Sequence, residues 1–143
     1  MSVIYIVIPC YNEEEALPTT VGMLSGKISA LISKNLVSQK PSLLFIDDGS
    51  SDKTWSLIEK FHTENPLVLS GIRLPENRGH QNALLYGLLS VKSSADIAIS
   101  IDADRSSIIS IIISQRQQRK ESRSSMLRST WTRSAFSLVD GLC

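Results

Sequence analysis

Four short apolar runs alternate along this chain with stretches of helical spacing, and that alternation limits the fold more than any other feature. Residues 3–8 read Val-Ile-Tyr-Ile-Val-Ile, apolar throughout and rich in β-branched side chains. A run with no polar alternation is what a strand buried on both faces of a parallel sheet requires. Pro9 is expected to stop it. Leu17, Val21, Leu24, Ile28 and Leu31 then recur at helical spacing, with Pro18 tolerable in the first turn and an expected end near Lys34-Asn35. Residues 42–46 (Ser-Leu-Leu-Phe-Ile) form a second buried-type strand, closed by Asp47-Asp48-Gly49-Ser50-Ser51-Asp52. Gly49 permits a tight turn, and Ser50 or Ser51 is expected to cap the next helix. That helix carries Trp55, Ile58 and Phe61 and should end before Asn65-Pro66. A third strand is expected over 67–74. A helix with Ala83, Leu84, Gly87, Leu88 and Val91 follows Asn77-Arg78-Gly79, and a fourth strand spans 96–101. The fold class is α/β: a Rossmann-like parallel sheet with helices on both faces, linked by right-handed crossovers.

In open sheets of this kind ligands bind outside the carboxyl ends of the strands, where the strand order reverses. Loops 9–13, 47–52 and 102–104 are those ends, so Glu13, Asp47, Asp48, Asp102 and Asp104 are expected to converge on one crevice. Asp102-Ala103-Asp104 closes the fourth run. Alternate side chains of an extended chain share a side, so both acids would face the same way if that geometry persists. Hard oxygen ligands so placed suit Mg²⁺ or Mn²⁺, which completes its shell with water and substrate phosphate. An isolated acid pair of this type is most often a solvated turn. The two other acid-bearing strand ends turn the reading towards a site.

At 143 residues, 42% hydrophobic and 20% charged, the chain has the composition of one soluble globular domain. Its net charge of +1 hides an asymmetry. Residues 1–104 hold eight Lys/Arg against twelve Asp/Glu, whereas 105–143 hold seven against two. Cys10 and Cys143 make no metal or redox spacing, and a reducing cytoplasmic setting is expected. Residues 1–9 lack a basic leader and run into Glu13-Glu14-Glu15, so they read as a strand rather than a signal peptide. No apolar run reaches the roughly 20 residues that span a bilayer.

Four pieces in order carry a resemblance: Ile8-Pro9-Cys10-Tyr11-Asn12-Glu13; Phe45-Ile46-Asp47-Asp48-Gly49-Ser50-Ser51-Asp52; Asn77-Arg78-Gly79-His80-Gln81-Asn82-Ala83-Leu84; and Ile101-Asp102-Ala103-Asp104. Over residues 2–104 the chain resembles the inverting family 2 glycosyltransferases of GT-A fold. It is most similar to those that load a sugar onto a polyprenyl phosphate such as dolichyl or undecaprenyl phosphate. The resemblance implies a nucleoside-diphosphate sugar donor, UDP-linked, and a polyprenyl phosphate or glycan acceptor. It implies that Pro9, Tyr11 and Glu13 border the base and ribose. Asp48 would hydrogen-bond the pyrimidine, with Asp47 beside it, and Arg78 would approach the base or diphosphate. Asp102 would lie near the ribose, and Asp104 would hold Mg²⁺ or Mn²⁺ on the diphosphate. Asp102 and Asp104 are the acids assigned to catalysis. The implied setting is cytoplasmic, with the inner face of the membrane as the place where a lipid carrier is met.

After Asp104 the resemblance stops. Ten of the 39 residues from 105 are Ser and six are Arg, against two Arg in the first 104. Residues 1–104 thus read as the nucleotide-sugar-binding half, truncated after the DxD. Residues 105–143 read as a divergent Ser/Arg/Ile-rich tail that is frameshifted or poorly ordered. The rival is an inserted or divergent segment. The tail lacks a nucleic-acid-binding module, and no nucleic-acid partner is expected. Two other functional classes stand beside the transferase. One is a non-catalytic nucleotide-binding fragment without its acceptor half. The other is a phosphotransferase with Asp102 as nucleophile and Asp104 as acid, but that chemistry wants its acid pair after the first strand.

Overall fold

The computed structural model describes residues 3–36 and 43–102. They form β1 (Ile4–Cys10), α1 (Leu17–Ser33), β2 (Leu43–Asp47), α2 (Thr54–Glu64), β3 (Leu69–Arg73), α3 (His80–Val91) and β4 (Ile97–Ser100). All four strands are parallel, in the order β3-β2-β1-β4. The chain therefore steps outward from β1 to β3 and then returns to the far side of β1. The reversal falls between β1 and β4.

Side chains alternate across the sheet and sort the core into two layers. Ile6, Ile8 and Cys10 of β1 and Leu43 and Phe45 of β2 pack with Leu17, Val21, Leu24 and Ile28 of α1 and Ile58 of α2. Val7, Leu44 and Ile46 lie in the opposite layer, with Ala83, Leu84, Leu88 and Val91 of α3. Helices thus cover both faces, as the unbroken apolar runs predict. The buried residues of α3 are Ala83, Leu84, Gly87, Leu88 and Val91, the same five that the spacing selects.

Three local expectations are corrected. Pro9 lies inside β1 and pairs with Ile46. Odd-numbered backbone groups of β1 face β4, as the Ile101 N–H to Val7 carbonyl bond shows. That ladder pairs only as far as Val7 and Ser100, so the N–H that proline lacks falls beyond its end. Neither Ser50 nor Ser51 caps α2; the Thr54 N–H donates instead to Asp52 Oδ1 at 2.9 Å. The third strand is shorter than 67–74, occupying Leu69–Arg73. The expected end of α1 is met: Asn35 takes a left-handed φ of 55°, and the Asn35 and Leu36 N–H groups donate to Ile32 and Leu31. Those paired bonds close a Schellman turn.

Close approach of side chains across the core favours glycine at Gly71 and Gly87. A Cβ at Gly71 would run into the Ile58 side chain of α2. At Gly87 it would come 2.5 Å from Val7 Cγ1 and 2.8 Å from Ile46 Cγ1. Alanine favours a helix over glycine by up to about 1 kcal/mol, but overpacking a close contact costs about 1–3 kcal/mol. Gly87→Ala is therefore expected to lower stability in urea unfolding. A higher midpoint would show that α3 does not seat on β1 as described.

Candidate functional site

The β1–α1 loop leaves the sheet with three successive N–H groups that need partners, and the β2–α2 loop supplies all three. Asn12 N–H donates to Ser50 Oγ at 2.9 Å, Glu13 N–H to Thr54 Oγ1 at 2.8 Å, and Glu14 N–H to Asp52 Oδ2 at 3.1 Å. The second loop is answered in return. Ser51 N–H and Lys53 N–H donate to Asn12 Oδ1 and Glu14 Oε2, both at 3.0 Å. Asp48 N–H adds a bond to the Cys10 carbonyl at 2.8 Å. Short polar side chains that bond nearby backbone make such joints readily. Desolvation raises the Asp52 carboxyl, but bonds from Thr54 and from the Glu14 N–H outweigh it and hold it below the usual carboxylate range. Its share of the joint is thus complete at neutral pH and lost as pH falls through that lowered range.

A third loop presses on this pair. Gly49 has φ +70°, and a Cβ there would lie 2.6 Å from Asn77 N. Arg78 N–H donates to Asp48 Oδ1 at 2.7 Å, and Leu74 N–H donates to the Asp47 carbonyl at 2.8 Å. The carboxyl ends of β1, β2 and β3 are thereby locked together.

The expected site residues fall as follows. Pro9 is buried at the end of β1, and Tyr11 is 48% exposed beyond it. Asp47 and Asp48 are both buried. Asp47 Oδ1 accepts from Ser50 N–H, while Arg73 Nε lies 3.4 Å from Oδ2 without hydrogen-bond alignment. The Arg73 guanidinium also sits 5.9 Å from the centre of the Trp55 ring. The Arg78 guanidinium pairs with Glu76 at 2.6 Å on the surface. Asp102 follows β4, with Oδ1 3.7 Å from Nδ1 of His80, the first residue of α3. Asp104 and the tail lie outside the described residues.

Glu13, Asp47 and Asp102 come from three different strand ends, yet all three act on one group. Burial pushes the Cys10 thiol well up, and the fields of these three carboxylates push it further. Cys10 is thus a buried thiol at the carboxyl end of β1 within the field of these acids. It stays protonated and unreactive, since the thiolate is the reactive form.

The donor set suits a hard cation. Among the described residues no group of three or more His, Cys, Asp or Glu could hold a metal ion alone. Asp102 provides carboxylate oxygen at the strand end, 30% exposed, which matches an ion that takes one or two protein carboxylates and leaves the rest to phosphate and water. Two depressions, about 470 and 520 Å³, lie at the carboxyl end of β3 and share Leu74 and Pro75; Glu13 and Asp102 line neither.

A parallel sheet with acids at its strand ends beside a reversal of strand order has the place where open α/β sheets take ligands. The chain belongs to the family described as Glycosyl transferase family 2, whose model matches residues 5–107. It is 44% identical over 110 residues to the uncharacterized glycosyltransferase YkoT of Bacillus subtilis (strain 168), covering 77% of this chain and 32% of that one. It is 38% identical over 99 residues to an undecaprenyl-phosphate 4-deoxy-4-formamido-L-arabinose transferase of Shewanella sediminis (strain HAW-EB3), covering 69% and 28%. The chain thus spans about a third of the length of these curated relatives. Among solved structures it resembles the mannosyltransferase PcManGT of Pyrobaculum calidifontis in complex with GDP-Man and Mn²⁺, at TM-score 0.51, 21% identity, and 72% and 28% coverage. It also resembles S. aureus TarS, at TM-score 0.54, 19% identity, and 71% and 16% coverage. At that identity the likeness shows the GT-A fold. No helix among the described residues is long and apolar enough to cross a membrane.

Sequence reasoning missed the joint made by Asn12, Asp52 and Thr54, and it gave Ser50 and Ser51 the wrong partner. The signal was present as a cluster of Asn, Ser, Thr and Asp at two adjoining strand ends. The state of Cys10 gives a direct check. Alkylation at pH 8 with peptide mapping should leave Cys10 unmodified in the folded protein and modified in urea. Rapid native labelling would show that Cys10 is not buried as described.

Proposed function

We propose that the crevice beside β1 and β4 binds a nucleoside-diphosphate sugar, uridine-linked, for metal-assisted transfer of the sugar with inversion to a polyprenyl phosphate or glycan acceptor. The observation that carries this reading is that Glu13 and Asp102 follow the carboxyl ends of β1 and β4, the two strands between which the order of this family 2 chain reverses. The name of the Shewanella relative supports a lipid phosphate acceptor, and the PcManGT complex supports a sugar nucleotide with a divalent ion. Residues 1–104 are the binding half in this reading, and 105–143 a separate stretch. The place of work is the cytoplasmic side of a membrane, where a polyprenyl carrier is met.

Pro9, Tyr11 and Glu13 border the base and ribose. Asp48 gives Oδ1 to the Arg78 backbone and offers Oδ2 to a pyrimidine N–H. Asp47, already held by Ser50 and Arg73, supports Asp48 from below. Arg78 exchanges Glu76 for the incoming nucleotide. Asp102 takes the ribose, and Asp104 holds Mg²⁺ or Mn²⁺, which neutralises charge on the diphosphate when bound. The acceptor oxygen attacks the anomeric carbon as the bond to the diphosphate breaks, and the diphosphate leaves with the electron pair. A phosphate acceptor is already anionic and needs no general base, whereas a hydroxyl acceptor does.

Calorimetric titration with UDP and with GDP should show binding in Mn²⁺ that is lost in EDTA and in Asp104→Ala, with UDP the tighter ligand. Equal affinity with and without the metal would remove that role from Asp104. Asp48→Asn should weaken UDP by about 1.5–3 kcal/mol, the worth of a charged hydrogen bond, and leave pyrophosphate unaffected. Equal loss for both ligands would mean that Asp48 acts through general charge.

A further inference from the structure

We propose that Asn12, which neither the sequence motifs nor the family resemblance assigns a role, is a positioning residue for the nucleoside. This rests on the reading above, which places Tyr11 and Glu13 at the base and ribose. Asn12 stands between those two and has a left-handed φ of 53°. Asparagine is among the few residues with a Cβ that adopt such a conformation readily. The backbone bend thus fixes how residues 11 and 13 leave β1.

The same residue holds the bend against the neighbouring strand end. Its N–H donates to Ser50 Oγ at 2.9 Å, and Ser50 N–H is anchored in turn on Asp47 Oδ1 at 3.2 Å. Its Oδ1 accepts both the Ser51 N–H at 3.0 Å and the Ser51 hydroxyl at 3.3 Å. Asn12 therefore joins the loop carrying Tyr11 and Glu13 to the loop carrying Asp48, three residues assigned to one nucleoside. All of these bonds are made within the protein, so the two loops hold each other without contacts from a ligand. A site ordered in advance avoids the cost of ordering loops on binding.

The test uses the full chain with uridine, UDP and Mn²⁺-pyrophosphate as probes. Asn12→Gly keeps the backbone freedom and removes the side-chain tie. It should weaken uridine and UDP roughly three- to tenfold and leave Mn²⁺-pyrophosphate unchanged. Hydrogen exchange at the Ser51 amide should speed up in the free protein. Asn12→Asp keeps the acceptor oxygen and the tolerance of the bend, so its uridine affinity should return to within about twofold of the parent. Wild-type affinity for uridine in Asn12→Gly, or an equal loss for pyrophosphate, overturns the positioning role and leaves nucleotide binding standing. Absence of uridine and UDP binding in the parent chain overturns both. If Asn12→Gly does not fold, Ser51→Ala removes the hydroxyl arm alone. A loss of about twofold for uridine but not pyrophosphate then supports the role, and no loss overturns it.

Discussion

Every part of this structure answers to the position of β1. It is paired with β2 on one edge and, as far as Val7, with β4 on the other, and residues 6–10 are buried, so little of its backbone meets water before the strand ends at Cys10. Buried amides must find partners within the protein. The chain leaves the sheet beside β2, and the partners it finds are the short polar side chains of the β2 loop. Satisfying Asn12, Glu13 and Glu14 builds the joint, and the joint sets the geometry of the candidate site.

The concentration of acid at the carboxyl end of the sheet is tolerated because these carboxylates are met by backbone amides, an arginine or an imidazole. Asp47 has an amide and an arginine, Asp48 has an amide, Asp52 has two amides, and Asp102 faces an imidazole. Amides stabilise a carboxylate by hydrogen bonding without contributing a full positive charge. Such pairing lets several carboxylates share one end of the sheet, where Asp102 stays partly exposed.

The elements were legible because their periods are clean. The strands read as unbroken apolar runs, and α3 showed its buried face residue by residue. The parallel sheet with helices on both faces follows from the alternation alone. What the sequence concealed were relations between segments far apart in the chain. Pro9 looks like a stop because its effect depends on which neighbour its missing N–H would face, and that neighbour, β4, lies some 90 residues on. Ser50 and Ser51 look like caps because their other partner, Asn12, is 38 and 39 residues away. For the site, the acids and their strand ends could be read, but not which of them are already occupied.

The contact between Gly49 and the backbone at Asn77 has a consequence for how such a domain can vary. The β2–α2 and β3–α3 loops meet tightly there, so lengthening either would displace the other. Tolerance for insertions belongs at the opposite edge of the sheet, where the turn after α2 closes on itself through Asn65 and the His62 ring meets the Leu69 carbonyl. A reporter group or an added segment placed there would leave the ligand-facing edge undisturbed. The domain is therefore conformationally one-sided, with change excluded from one rim and admissible at the other.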